Sequence, residues 1–310
     1  MSRLGSSSQK WLERPKVSRV LHVFEEVCNL IDEDGAVVAI QAQGMPMTSL
    51  AAKLDVPAGN MGKHGFKSGI SPQSKVRTAP GQLSLGPLEI STTPARLWSG
   101  RLQSAHLTVV MKRPAGLVER IEYWLRSESP DESLYWAFSS GSGSRRPPSR
   151  PQGEATGGIA RLAQDRIAIA AGEIISGIRA GDLAQAAAGA EAAAGLGGGL
   201  TPAGDDFLLG TFHALWFFWP PDQASRWAGR MAAVALPQTS PLSAAWLQTG
   251  AGGEAGEYWQ KMFDAWSSGQ SEALDESIRK IITTGHTSGS DALTGFSAAA
   301  ILIGDGISIG

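Results

Sequence analysis

The chain has 310 residues, with 27 Lys and Arg against 29 Asp and Glu, so its formal net charge is −2. A chain so close to neutral lacks the positive potential that holds a polyanion, and we expect no nucleic-acid partner. Apolar residues make up 42% of the chain, enough for a packed core and too many for a disordered protein. A single cysteine, Cys28, excludes both an internal disulfide and a cysteine-rich metal site.

Residues 1–140 are predicted to form a β-rich, barrel-like domain. Short apolar runs bounded by Gly, Pro and Asn are typical of strands, and several close together indicate a small barrel or sandwich. The clearest runs are residues 36–40, 82–85, 88–90 and 105–110. Two helices are expected to interrupt them, at residues 17–31 and 116–126.

Residues 141–158 are predicted to be an exposed linker, since Gly, Ser, Pro and Arg leave almost nothing to bury. Its arginines, Arg145, Arg146 and Arg150, fit a solvated hinge better than a phosphate-binding patch. Residues 159–310 are predicted to form an α-helical bundle, which makes the fold α+β with segregated parts. The expected helices are residues 159–180, 182–194, 207–219, 227–235, 256–266, 274–282 and 291–303.

No segment predicts a membrane span or a signal peptide. The first 15 residues lack an apolar core after their charges. The most apolar run, residues 207–219, follows two aspartates and is too short to cross a bilayer. We therefore expect a cytoplasmic protein without a membrane partner, in a compartment where a lone thiol stays reduced.

The most informative stretch is GLGGGLTPAGDDFLLG, residues 195–210. It lacks the lysine of a phosphate loop and the preceding strand of a dinucleotide fold. Thr201 is predicted to cap a helix, with Pro202 at its first position and Asp205 and Asp206 in its first turn. Backbone N–H groups there favour a bound anion, whereas the two aspartates either fill the helix end themselves or bind Mg²⁺. A plain turn between packed helices is the alternative.

A second stretch, GHTSGSDALTG at residues 285–295, repeats part of the first. Both contain G-x-D-x-L-x-G, with Asp206 matching Asp291 and Gly210 matching Gly295. Because Asp and Gly four positions apart share one helix face, the pattern predicts two helices that cross closely at the glycines. Their N-termini would then face one cavity, unless the short pattern recurs by chance.

The predicted catalytic residues are Asp206, His286 and Asp291. The predicted substrate-binding residues, all in or beside the two motifs, are Gly197, Gly198, Gly199, Thr201, Gly204, Asp205, Thr239, Ser240, Thr287, Ser288 and Gly289. Each has a structural alternative: the aspartates are also typical helix caps, and His286 suits a structural hydrogen bond as well. His213, on an apolar helix, is predicted to be a core histidine.

At these residues the chain resembles the domain-of-unknown-function family that contains the H subunit of oxamate carbamoyltransferase. The resemblance is close over most of the second half and loose over the first. It implies an enzyme of allantoin catabolism that works with two further subunits and converts oxalurate and phosphate to oxamate and carbamoyl phosphate. It carries no catalytic residues over to this chain, so the candidate site rests on the residues above.

We therefore expect a subunit or relative of such an enzyme, which binds a small anionic substrate at paired helix N-termini. The alternative is a non-catalytic binding or scaffold subunit, because the central motif holds no Lys or Arg for a dianion. The cation would have to come from Lys53, Lys63, Lys67 or the linker arginines. The cofactor stays open, with Mg²⁺ on Asp205 and Asp206 as the one candidate.

Overall fold

A computed structural model describes residues 1–93, 95–102, 114–139 and 154–304. The expected strand at residues 105–110 and most of the expected linker, residues 141–153, lie outside these ranges. The chain divides into two compact units. The first comprises residues 1–101 and 254–257, and the second comprises residues 102–253 and 258–310. The fold is α+β, as predicted, with an N-terminal sheet followed by helices. The domain limits at residues 140 and 158 stay a prediction.

The first unit is built on one nine-stranded sheet of half-barrel form. Its strands are β1 (Arg3–Gly5), β2 (Val17–Val23), β3 (Val27–Asp32), β4 (Val37–Gln41), β5 (Ala51–Lys53), β6 (Lys75–Ala79), β7 (Gln82–Leu85), β8 (Leu88–Ser91) and β9 (Arg96–Trp98). They are arranged in the order β8-β7-β6-β2-β3-β4-β5-β1-β9. Only β4 with β5 and β1 with β9 pair in parallel. One short helix, α1 (Ser6–Leu12), follows β1.

The predicted helix at residues 17–31 is wrong. This segment forms β2 and β3, an antiparallel pair in which Ser18 lies opposite Asp32. The backbone N–H of Phe24 donates to the carbonyl of Val27 and closes the connection between the two strands. Its valines and isoleucine favour strands, and only pairing with neighbouring strands buries them. Cys28 is fully buried, as expected, but in a strand rather than a helix.

The second unit is helical over most of its described length. Its helices are α2 (Pro114–Glu128), α3 (Tyr135–Ser139), α4 (Glu154–Ala180), α5 (Leu183–Ala193), α6 (Ala203–Phe218), α7 (Pro221–Ala235), α8 (Pro241–Ala251), α9 (Glu257–Ser267), α10 (Ser271–Ile282) and α11 (Ser288–Gly304). Helix α9 begins at Glu257, which belongs to the first unit. The helices expected from residue 116 onward are confirmed, with ends within three residues of the expected ones, except that α4, α6 and α7 begin five, four and six residues earlier. Helices α3 and α8 are not among those expected.

Two details of the helical expectations need correction. The sequence places Leu162 on one apolar stripe of α4 together with Ile167, Ile174 and Ile178. Leu162 is 61% exposed, whereas the three isoleucines are buried. Thr201 does not cap α6, because Pro202 occupies the cap position and makes no side-chain capping bond. Its carbonyl instead accepts the N–H groups of Asp205 and Asp206.

Helices α6 and α11 form the centre of the second unit and pack along each other more extensively than any other described helix pair. Helix α6 is buried on nearly all sides, which is why its sequence is apolar almost throughout. His213 lies in this core and stacks edge-on against Trp259 at 4.8 Å. Burial lowers its pKa to about 3, so the expected core histidine is neutral. Within the described ranges, no helix combines the length and the hydrophobicity that a bilayer span requires.

Candidate functional site

The repeated glycines mark the place where α6 and α11 cross. A Cβ atom added at Gly210 would lie 1.7 Å from the carbonyl oxygen of Ala292. One added at Gly295 would lie 2.0 Å from the carbonyl oxygen of Phe207. No side chain fits at such distances, so the two backbones are in direct contact one turn behind each aspartate. The predicted close crossing is confirmed.

The crossing brings the two helix N-termini together. The hydroxyl oxygens of Thr201 and Ser288 lie 2.9 Å apart, although 87 residues separate them in the chain. Thr201 Oγ1 also donates to Asp206 Oδ2 at 3.2 Å. Either hydroxyl can be the donor in the contact between Thr201 and Ser288, because Ser288 also lies within hydrogen-bonding reach of Asp206. Thr201, Asp206 and Ser288, all predicted site residues, therefore form one hydrogen-bonded chain.

Asp291 lies fully buried in the first turn of α11. Its Oδ1 atom accepts a hydrogen bond from the Ser133 hydroxyl at 2.9 Å and another from the Leu134 backbone N–H at 2.7 Å. Its Oδ2 atom has no hydrogen-bond partner among the described residues. Sequence reasoning missed Ser133 and Leu134 because they lie in a short turn before α3, outside any motif.

The Asp206 and Asp291 carboxyls influence each other. Burial raises the pKa of Asp206 well above its usual value and the negative charge of Asp291 raises it further, against hydrogen bonds from Ser288 and Thr201. Burial raises the pKa of Asp291 to about 6, against the hydrogen bonds from Leu134 and Ser133 and the nearby Thr287 hydroxyl. Two neighbouring buried carboxyls resist being charged together, so the pair takes up a proton more readily than an isolated carboxyl does.

Asp205 has a different environment from its neighbour. Its Oδ1 atom accepts the Gly195 backbone N–H at 2.9 Å, and its Oδ2 atom accepts a short hydrogen bond from the Thr239 hydroxyl. Ser240 caps α8 through Ser243 N and donates to the carbonyl of Leu200. Asp205, Thr239 and Ser240 therefore connect the glycine loop to the start of α8. The described residues contain no group of three or more His, Cys, Asp or Glu suited to a metal ion.

The predicted glycines of the first motif fall into two sets. Gly204 packs its backbone against the end of the preceding helix, α5, since a Cβ atom there would lie 2.0 Å from the carbonyl of Ala193. Gly197, Gly198 and Gly199 are exposed instead, and the described residues include no acceptor for their backbone N–H groups. Gly197 and Gly199 have φ angles of 116° and 92°, which explains glycine at both. Gly198 has neither a positive φ nor any atom within 4 Å of an added Cβ, so packing does not require glycine there.

The second predicted loop lies partly at the surface. His286 is 78% exposed, and its Nε2 atom lies 3.5 Å from Glu132 Oε2. Thr287 is half-buried, and its carbonyl accepts the Asp291 N–H. Gly289 is a packing glycine, since an added Cβ would lie 1.7 Å from the carbonyl of Ile281. The glycine loop and His286 are therefore exposed, whereas Thr201 and Ser288 are half-buried. The Asp206 and Asp291 carboxyls are buried.

Comparison with known protein families identifies the segment that contains both motifs. Residues 193–300 match the family of the oxamate carbamoyltransferase subunit AllH. The match includes almost all of α6 and α11 together with the loops that precede them. Ser133 and Leu134, which hold Asp291, lie outside it. Comparisons with curated proteins and with solved structures give no match. The expected resemblance is therefore confirmed for the matched segment.

Proposed function

We propose that the chain is a subunit of an oxamate carbamoyltransferase-type enzyme that binds a small anion of the carbamoyl phosphate or oxamate class at the N-termini of α6 and α11. The observation that carries the proposal is the 2.9 Å contact between Thr201 and Ser288, which joins the two motifs of the matched segment. Sequence-distant motifs brought together at helix N-termini are a typical arrangement for binding an anion.

The exposed glycine loop supplies the donors that an anion needs. Three successive N–H groups, at Gly197, Gly198 and Gly199, are open to a ligand, and the hydroxyls of Thr201 and Ser288 lie on the more buried side. Backbone N–H groups held in a loop bind oxyanions and stabilise negative charge that develops on a carbonyl oxygen. The absence of a side chain at Gly198 would let phosphate or carboxylate oxygens approach the backbone directly.

The carboxyl pair would handle protons in the transfer. A phosphate oxygen forms a bond to the carbamoyl carbon of oxalurate while the bond from that carbon to the oxamate nitrogen breaks. The ionised member of the pair, Asp291, accepts the phosphate proton, and protonated Asp206 supplies one to the leaving nitrogen. A carboxyl with a raised pKa is suited to donating a proton near neutral pH. His286 lies exposed at the rim of the site.

The test is ligand-induced stabilisation of the full chain by carbamoyl phosphate, or by phosphate with oxamate. A ligand at about 100 times its dissociation constant adds about 2.7 kcal/mol to the free energy of unfolding and raises the melting temperature. We expect Gly198→Ala to keep the melting temperature of the free protein and to lose this increase. Asp206→Asn should lose it as well.

The matched control is Gly229→Ala on α7, where an added Cβ also meets no atom within 4 Å. This variant should bind like the wild type. No stabilisation of the wild-type chain by any of these anions would contradict the proposal.

A non-catalytic binding subunit is the second candidate, and one observation favours it. The described residues that hydrogen-bond within the site include no Lys or Arg, although strong dianion sites usually have one. In that case the chain binds the ligand and a partner chain supplies the positive charge and the chemistry.

A further inference from the structure

Among the described residues, no hydrogen bond of normal geometry reaches the buried Oδ2 atom of Asp291. Asp291 has an exposed fraction of 0%, and the hydrogen bonds from Ser133 and Leu134 to its carboxyl both go to Oδ1. The Thr287 hydroxyl also favours the charged form of Asp291 from nearby, without a hydrogen bond of normal geometry to Oδ2. Buried polar atoms in folded proteins almost always have a partner, and an unmatched one is costly. A ligand that carries an N–H group would provide the missing donor.

The carboxyl of Asp291 is held in one orientation by the turn before α3. Ser133 is itself fully buried, and its hydroxyl accepts the Tyr135 N–H at 3.2 Å while donating to Asp291 Oδ1. The Leu134 N–H binds the same oxygen at 2.7 Å. Two donors on one oxygen fix the plane of the carboxyl, so the direction of Oδ2 is set before a ligand arrives.

Resting on the proposed function, we propose that Asp291 determines specificity by accepting an N–H of the substrate's carboxamide or carbamoyl nitrogen at Oδ2, and that Ser133 is the positioning residue that orients it. The site would then select anions with a primary amide over those with a carboxylate in its place. A carboxylate in that position presents a negative oxygen to Oδ2 instead of a donor, and sites that pair polar groups reject such analogues strongly.

Oxamate and oxalate test the proposal because they differ in one group, an amide against a carboxylate. We expect calorimetric titration of the full chain to show oxamate binding more tightly than oxalate by at least about tenfold. Asp291→Asn, which offers an N–H beside an oxygen, should reduce that preference to about threefold or less, or reverse it.

Ser133→Ala leaves the acceptor in place and removes one of the two bonds that orient it. We expect a smaller loss of the oxamate preference and a shift of the pH midpoint of oxamate binding to higher pH, because the Ser133 hydroxyl favours the charged form of Asp291. Ser133→Thr keeps a hydroxyl and should restore the wild-type midpoint. The matched control is Ser297→Ala on α11, a buried serine whose hydroxyl has no partner among the described residues; it should change neither quantity.

Each outcome decides the proposal. Equal affinity of the wild type for oxamate and oxalate overturns it, and so does a preference that survives Asp291→Asn, as it would if a proton shared with Asp206 satisfied Oδ2. Both results leave anion binding at the helix N-termini intact. If the wild type binds neither anion, the proposed function fails, and the inference fails with it. Should Asp291→Asn not fold, as judged by circular dichroism, an unchanged preference and pH midpoint in Ser133→Ala would overturn the proposal alone.

Discussion

Two adjacent aspartates at the start of α6 have different roles because their side chains meet different partners. Asp205 accepts hydrogen bonds from the loop and from Thr239 and is part of the scaffold. Asp206 faces the start of α11, where Ser288 and Asp291 are its neighbours. The carboxyl chemistry of the site therefore belongs to Asp206 and Asp291, and Asp205 supports it through the loop.

The raised pKa of Asp291 predicts that its contribution to stability depends on pH. Its pKa is about 6 in the folded chain and lies near 3.9 in the unfolded one. The folded state therefore binds the proton more tightly, so this contribution is complete below about pH 4 and is lost as pH rises through about 6. The loss is on the order of 3 kcal/mol. Asp291→Asn removes the titrating group. The difference in free energy of unfolding, wild type minus variant, should therefore fall as pH rises from about 4 through about 6.

Urea denaturation of both proteins at about pH 4 and about pH 7 measures this difference. Comparison with the variant cancels the acidic groups that do not interact with Asp291. Asp206, whose pKa the Asp291 charge raises, changes with it and adds to the difference in the same direction. A difference that is constant between the two pH values, or larger at the higher one, would show that Asp291 is not protonated preferentially in the folded chain.

At the scale of secondary-structure elements, the crossing of α6 and α11 depends on two backbones in contact. The contacts at Gly210 and Gly295 are with backbone carbonyls, which cannot move aside as a side chain can. The aspartates one turn earlier are held by the same crossing. Stability and site geometry are therefore coupled at these glycines.

We expect Gly210→Ala to lower the free energy of unfolding by more than about 3 kcal/mol, since an atom placed 1.7 Å from a carbonyl oxygen must separate the helices. The same change at Gly229, where the added Cβ meets nothing, should raise it by up to about 1 kcal/mol through better helix propensity. Chemical denaturation of the two variants checks this contrast. Equal effects at the two positions would show that the close crossing is absent in solution.

For the whole molecule, the composition of the site raises the question of partner chains. The matched family is that of an enzyme subunit, and the described site residues supply acids, hydroxyls and backbone donors without a cation. We predict that the isolated chain binds the anion but forms little carbamoyl phosphate from oxalurate and phosphate. Co-expression with the chains encoded beside it should restore turnover.

Carbamoyl phosphate formation by the isolated and the co-purified protein measures the difference. Asp206→Asn in the complex separates the two candidate functions. Lost turnover with an intact assembly supports a catalytic role, whereas normal turnover supports a scaffold. Full activity of the isolated chain would contradict the need for partners.

Local sequence patterns determined the helices of the second half, the α+β class and the close crossing at Gly210 and Gly295. Each depends on the period of the apolar residues, on the composition of a segment or on the spacing of residues along one helix face. These features act over a few residues. Residues 17–31 show the limit of such patterns. A short apolar run satisfies helix and strand alike, and only the neighbouring strands of the sheet decided between them.

The tertiary structure alone decided how the candidate site is completed. Nothing in the sequence near Ser133 points to Asp291, because their hydrogen bond joins segments 158 residues apart and depends on how the helices pack. The repeated G-x-D-x-L-x-G pattern singled out Asp206, but only the packing showed that Asp205 accepts hydrogen bonds from Gly195 and Thr239 while Asp206 faces the start of α11. Burial raises their pKa values, and burial is a property of the folded chain rather than of its sequence motifs.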